Sequence, residues 1–242
     1  MIIKDLLFKI KEDLKRLPLY PNVNLEQDYK VDYDKYWKKR GRTDAAYLSS
    51  WQKQRADIIS NMVKSGASVM DVGCGDCALL KYLMDKAHIT GIGVDMNSAI
   101  LASASKLGIE VHEADITKME NLASLPQADY VMGLEILEHM PNPEEFITTM
   151  LTKIREGMIF SFPNTGYYLH RLRLLFGSFP LQWILHPGEH VRYWTVRDVK
   201  WWVKALGLNL DSLVLYEGVP VLNKMFPSLF SQGIIIKISK KK

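Results

Sequence analysis

The chain has 242 residues, 48% hydrophobic, 10% aromatic and 24% charged, and carries a formal net charge of +4. These values fit a soluble globular protein with one large core, and one domain with an appendage is the expectation. The basic residues are scattered over the first 16 positions, residues 35 to 42, residues 170 to 173 and Lys240 to Lys242, not gathered into the stripe that a nucleic-acid footprint requires.

In chain order, Lys4, Asp5 and Lys9 interrupt the apolar order of a secretory leader, and no apolar run of ~18 residues occurs, so a reducing, cytoplasmic setting is expected. Residues 1–48 are polar and aromatic-rich and read as an arm or lid, with Tyr36, Trp37 and Tyr47 as candidates to close over a ligand. Residues 49–64 read as a helix capped by Ser49 or Ser50. From residue 69 short β-branched runs alternate with helical patterns. VMDV (69–72) precedes CALLKYLMDKA, and GIGVD (91–95) precedes SAILASASKLG. IEVHEAD (109–115) and DYVMG (129–133) follow, then a helix from Pro143 with Asn142 as its N-cap, and MIFSF (158–162) as a fifth strand.

This rhythm predicts βαβ units assembled by right-handed crossovers. The expected fold is α/β: a Rossmann-like, doubly wound sheet of seven strands, mostly parallel, with an N-terminal helical arm. Residues 164–194 break the rhythm and read as an insertion over the strand ends. Thr195 opens a further helix that Gly207 closes. Its Trp201 and Trp202 point about 100° apart, so at most one is deep core. LDSLVLYEG and GIIIKIS are expected to close the sheet as an antiparallel hairpin.

The stretch VMDVGCGDCALL (69–80) admits two chemistries. Cys74 and Cys77 at a helix start could form a redox dithiol. Alternatively Gly73 and Gly75 let a bare backbone approach a ligand. Strand ends elsewhere favour the second reading. Asp95 ends the second strand 20 residues after Gly75, where it can accept from both hydroxyls of a ribose. Asp115 ends the third strand a further 20 residues on, within reach of an adenine amino group. A dinucleotide fits poorly, because the third glycine of its fingerprint would be Ala78. S-adenosylmethionine carries no phosphate and needs a close backbone, an acid near its positive charges, and these two acids.

VMDVGCGDC, with VDMN, EADI and GLEILEH, resembles the motif series of the class I S-adenosylmethionine-dependent methyltransferases over residues 50 to about 240. The resemblance implies that Asp71, Gly73, Cys74 and Gly75 face the methionine part, Asp95 and Met96 the ribose, Asp115 and Ile116 the adenine, and Glu135 the region beyond the fourth strand. Cys77 departs from the pattern, standing where many members have a third glycine. It reads as a small residue tolerated in the loop. SFPNTG (161–166), HRLRLL (170–175), Gly177, Pro180, Thr195 and Asp198 look like the MetW family of methionine biosynthesis. That likeness implies an accessory role beside a homoserine O-acyltransferase as the alternative to catalysis. LEILEHM (134–140) is closer to small-molecule methyltransferases.

If the acceptor must lose a proton, His139 and His190 are the candidate general bases, each following an acid and each near the expected mouth of the site. Glu138 joins them as a candidate catalytic group. Glu138 with His139 supplies only two ligands for a metal, which leaves most of a coordination sphere unassigned, so no metal is expected. Residues 167–185 mix apolar, aromatic and basic side chains like an interfacial segment. A lipid-like acceptor and peripheral membrane contact therefore stay open beside a small-molecule one.

Overall fold

The computed structural model describes residues 2–20, 48–182 and 187–241. The expected closing aromatics Tyr36, Trp37 and Tyr47 lie outside the described residues.

Seven strands form one sheet: β1 (Ser68–Val72), β2 (Thr90–Asp95), β3 (Glu110–Glu113), β4 (Ala128–Leu134), β5 (Ile154–Pro163), β6 (Leu208–Tyr216) and β7 (Gly233–Lys240). Their spatial order is β3-β2-β1-β4-β5-β7-β6. β7 is antiparallel to both β5 and β6, and the pairings from β3 through β5 are parallel. The chain therefore winds outward from β1 to β3, then restarts on the other side of β1 with β4. The crevice at the carboxyl ends of β1 and β4 is the topological switch point, where open α/β sheets bind ligands.

Helices cover both faces: α1 (Ile2–Lys15), α2 (Ser50–Ser60), α3 (Ala78–Ala87), α4 (Ser98–Ser105), α5 (Met119–Ala123), α6 (Pro143–Met150), α7 (Tyr168–Leu175), α8 (Val196–Ala205), and the short α9 (Leu222–Met225) and α10 (Pro227–Phe230). Strand alternation divides the core in two. Val69, Tyr130, Met132 and Ile159 pack with α2 and α3 residues such as Ile59, Leu80 and Leu83. Met70, Val72, Val131 and Phe160 pack with Phe146, Trp194 and Trp202. Ile234, Ile235, Ile236 and Ile238 in β7 are fully buried, which explains a strongly apolar segment, interrupted by Lys237, in a strand with a partner on each side.

Local chemistry sets the helix starts. Ser49 caps α2 in a reciprocal box with Gln52, and Thr195 does the same for α8 with Asp198. Trp202 is buried while Trp201 is 70% exposed, as the helical period requires. Four sequence expectations need correction. Asn142 precedes α6, but its side chain makes no cap bond; Pro143 and the acids Glu144 and Glu145 mark that start instead. β3 ends at Glu113, so Asp115 lies just beyond the strand and not at its end. β5 begins four residues earlier than expected, at Ile154, because the exposed Arg155 and Glu156 interrupt the apolar signal after it. The insertion is not irregular throughout, since α7 forms within it around buried Leu169 and Arg173.

Arg173 organises that insertion. Its buried guanidinium donates to the carbonyls of Arg16, Leu17 and Leu19, and its Nε to that of Phe179. Tyr167 and Tyr168 both donate to the buried Asp13 carboxylate, so the described part of the N-terminal arm is docked against α7. No helix among the described residues is long and apolar enough to cross a membrane.

Candidate active site

A cavity of about 550 Å³ opens at the switch point, within the usual range for small-ligand sites. The candidate cofactor-facing and catalytic residues Asp71, Gly73, Cys74, Gly75, Asp95, Met96, Asp115, Ile116, Glu135, Glu138, His139 and His190 line it, while Cys77 does not.

The glycine turn is tied to the second strand. The N–H groups of Gly73 and Cys74 both donate to the Val94 carbonyl, and Gly75 N–H donates to Asp95 Oδ2 at 2.9 Å. Asp95 Oδ1 accepts from Asn97 N–H at 3.0 Å. Each Asp95 oxygen thus spends one lone pair on the protein and keeps another. Gly73 and Gly75 have φ of +73° and +54°, in the left-handed region that glycine adopts without strain. A Cβ on Gly73 would stand 2.8 Å from Ile136 Cγ2. At the third strand, Ala114 N–H donates to the Asp95 carbonyl, bringing Asp115 alongside. Asp115 Oδ1 accepts from the Thr117 N–H and hydroxyl, while Oδ2 is 3.6 Å from Lys118 Nζ. Burial opposes ionisation of Asp115, but Thr117 and Lys118 outweigh it and its carboxyl pKa lies below the usual value.

The cavity is strongly acidic. Among the described residues its lining includes seven Asp and Glu residues and a single Arg, Arg55. Burial raises the Asp71 carboxyl well above its usual range, Asp95 adds to this, and Arg55 opposes it. Arg55 itself is buried. Its Nε donates to Tyr216 Oη at 3.0 Å and its NH2 group stands 3.4 Å from Glu135 Oε1. Burial pulls the guanidinium pKa down, yet Glu135 and Tyr216 leave it raised on balance. Glu135 sits at φ +57° immediately after β4, held by its N–H to the Ser161 carbonyl and by the Ser161 hydroxyl donating to its Oε1 at 2.8 Å.

The two cysteines are free thiols. Cys77 is fully buried at φ +56°, a left-handed position that explains why a glycine is at home there. The adjacent Cys77, burial and the nearby Asp71 and Asp95 all raise the Cys74 thiol pKa. A Cys74 thiol that resists ionising is a poor nucleophile for dithiol exchange.

At the other end, the Glu138 carbonyl accepts from the N–H groups of Val191 and Arg192, stitching the end of the insertion to the loop after β4. This brings the His139 and His190 rings to 4.7 Å between centroids, edge to face. His139 Nδ1 lies 2.6 Å from the Glu189 carbonyl. A carbonyl only accepts, so Nδ1 carries a proton there. Burial and the neighbouring His139 lower His190 to about 3, leaving it neutral near pH 7. Glu138 is 1% exposed and neither carboxylate oxygen meets a donor. Burial and the adjacent Glu135 raise its carboxyl well above the usual range, against the nearby Arg55.

Sequence reasoning missed Arg55, Trp51, Tyr216, Ser161 and Gln182, which also support or line the site. For Arg55 a signal existed: it lies on the buried face of α2, beside Ala56 and Ile59, where an unpaired cation would be costly.

This architecture, with a glycine turn and strand-end acids at the switch point, is the fold of class I S-adenosylmethionine-dependent methyltransferases. A methyltransferase of that kind from Archaeoglobus fulgidus superposes with a TM-score of 0.61 at 21% identity, over 86% of this chain and all of the other. Within that class a family profile described as methionine biosynthesis protein MetW matches residues 53–231, and the chain belongs to the MetW family. It is 28% identical to the ubiquinone biosynthesis O-methyltransferase of Pseudomonas entomophila over 174 residues, 68% of this chain and 72% of that one. It is 27% identical to the bifunctional methionine biosynthesis protein MetXA/MetW of Rhodopirellula baltica over 177 residues, 66% of this chain and 28% of that one.

Proposed function

We propose that the chain binds S-adenosylmethionine in this cavity and transfers its methyl group to a hydroxyl of a small or lipid-like acceptor. The observation that carries the reading is the joint placement of the glycine turn, Asp95 and Asp115 around one acidic cavity. A net negative lining favours a ligand bearing ammonium and sulfonium charges and disfavours a diphosphate. The free lone pairs of Asp95 suit two ribose hydroxyls, Asp115 Oδ2 suits an adenine amino group, and Met96 and Ile116 supply apolar walls. Asp71 gives the buried ammonium a counterion, which offsets the cost of keeping that carboxylate from water.

When bound, the cofactor supplies a methyl carbon activated by a cationic sulfur leaving group. The protein then has to hold the acceptor oxygen in line and exclude water. Glu138, His139 and His190 lie at the acceptor end in this reading and handle the hydroxyl proton. The Pseudomonas relative's name favours oxygen as the acceptor atom. The exposed Leu174, Leu175, Phe176 and Phe179 of the insertion favour an acceptor with an apolar tail. Incubation with methyl-labelled S-adenosylmethionine and phenols bearing or lacking a prenyl tail tests this. Labelled ether is expected, more of it from the tailed phenol, and label appearing only on nitrogen acceptors would refute the oxygen assignment.

A second reading is favoured by MetW membership and the fused Rhodopirellula relative: an accessory subunit beside a homoserine O-acyltransferase. Capture of that enzyme by an Asp95→Ala chain as well as by the wild type, with no methyl transfer by either, would establish it over catalysis.

A further inference from the structure

The sheet order β3-β2-β1-β4-β5 lays the cavity out from end to end. Asp115 follows β3, Asp95 ends β2, the glycine turn follows β1, Glu135 follows β4, and Thr165 stands just beyond β5. In the methyl-transfer reading the first three hold the cofactor, so the wall past β4 and β5 faces the acceptor. Gln182 of the insertion lines the cavity there, tied to Thr165, whose hydroxyl donates to Gln182 Oε1 at 2.9 Å. We propose that Gln182 sets acceptor specificity. Its side-chain NH2 donates to a second, uncharged oxygen of the acceptor, an ether, carbonyl or hydroxyl oxygen other than the one that is methylated.

Three observations carry the assignment. First, Gln182 Nε2 is buried and has no hydrogen-bond partner among the described residues. Such a donor is costly until something pairs with it. The other unpartnered buried atoms of this lining are carboxyl oxygens of Asp76 and Glu138, so Gln182 supplies its one unpartnered buried nitrogen. Second, the amide is held in place. Thr165 N–H donates to the Trp194 carbonyl and Arg171 Nε to the Gly166 carbonyl, which fixes the turn that carries the Thr165 hydroxyl. Arg173 Nε holds the Phe179 carbonyl, three residues before Gln182. A side chain anchored from both sides loses little freedom when a ligand arrives. Third, charge decides which end of the amide faces inward. Seven acids among the described lining residues favour the positive NH2 end toward the cavity, with Oε1 taking the Thr165 hydroxyl. An anionic partner would meet the same acids, and a protonated amine has no lone pair to offer. An uncharged oxygen is the group that fits.

This role deepens the methyl-transfer reading and rests on it. The amide takes no part in bond making. It orients the acceptor so that its reacting hydroxyl stands in line with the methyl–sulfur bond. An acceptor with a methylene in place of the second oxygen leaves the buried NH2 unpaired and is discriminated against.

The test sets 2-, 3- and 4-methoxyphenol against the matching ethylphenols, which keep the shape but replace the ether oxygen with CH2. The full-length wild type, Gln182→Leu and Gln182→Glu are assayed for methyl transfer from labelled S-adenosylmethionine. In parallel, nitrogen-15 NMR follows the Gln182 side-chain NH2, identified by its loss in Gln182→Leu. The wild type is expected to favour at least one methoxyphenol over its ethyl partner by roughly 5- to 150-fold in kcat/KM, the cost of one buried polar group left unpaired. Both variants should lose that preference, and the NH2 signal should shift with that methoxyphenol and not with its ethyl partner. A purely structural role would instead lower the melting temperature of Gln182→Leu and leave the preference intact. Gln182→Glu keeps the test decisive if the leucine variant fails to fold. Methyl transfer without such a preference, a preference kept in either folded variant, or an NH2 signal that no methoxyphenol moves overturns the proposal. A signal that shifts as expected without any methyl transfer removes the methyltransferase reading and leaves the recognition of oxygen by Gln182 standing.

Discussion

Replacing Asp95 with alanine removes one carboxylate that serves two masters. In the protein it accepts from Gly75 N–H at 2.9 Å and Asn97 N–H at 3.0 Å. Toward the ligand it offers one further lone pair on each oxygen. Hydrogen bonds to a charged acceptor contribute about 1.5–3 kcal/mol each, so two ribose hydroxyls together account for roughly 3–6 kcal/mol, or about 10²–10⁴-fold in affinity. Gly75 is buried and Asn97 half-buried, so leaving their N–H groups without this acceptor costs folding about 1–3 kcal/mol. Asp95→Asn should fall between, since its amide nitrogen must face one of the two N–H groups. The assay is calorimetry with S-adenosylhomocysteine, joined to a cycle using adenosine and 2′,3′-dideoxyadenosine. The losses from the substitution and from deleting the hydroxyls should not add. An Asp95→Ala protein that binds S-adenosylhomocysteine within threefold of wild type would refute the ribose assignment.

Arg55→Met should cost about 3–5 kcal/mol in urea denaturation, because it strands Glu135 without its buried countercharge; a loss below 1 kcal/mol would show the pair to be solvated. Iodoacetamide should label Cys74 and Cys77 in the native chain far more slowly than in denaturant at pH 8, since burial and the surrounding acids suppress the thiolate at Cys74; equal rates would revive the dithiol reading. His170 makes a pH prediction. Burial first, then Arg173, lower it to about 4, and its Nδ1 has no partner, so the fold favours the neutral ring. Its contribution is complete above the unfolded value near 6.5 and is lost as pH falls toward 4, by up to roughly 3 kcal/mol. His170→Gln should flatten the stability curve between those limits, and an unchanged curve would contradict the burial argument.

The sheet was legible because its signals are local. Mostly apolar segments such as Ile92 to Val94 and Ile234 to Ile236 need only sequence neighbours to be read, and the Gly75, Asp95 and Asp115 spacing survives as a shared cavity. Helix α7 was not legible, because its register depends on Arg173 reaching carbonyls at residues 16 to 19, a contact between distant parts of the chain. The same holds for the pairing of His139 with His190. Each histidine was a candidate alone, but only the backbone bonds to the Glu138 carbonyl make them one cluster. Cys77 illustrates the reverse case: its departure from glycine was visible, while its physical meaning, a left-handed φ of 56°, required the fold.

The measurement that bears most directly on this account is native mass spectrometry of the intact chain mixed separately with S-adenosylhomocysteine and with NAD. The account predicts one S-adenosylhomocysteine per chain, and no retained NAD against the acidic lining. NAD held as firmly as S-adenosylhomocysteine, or neither ligand held at all, would contradict it.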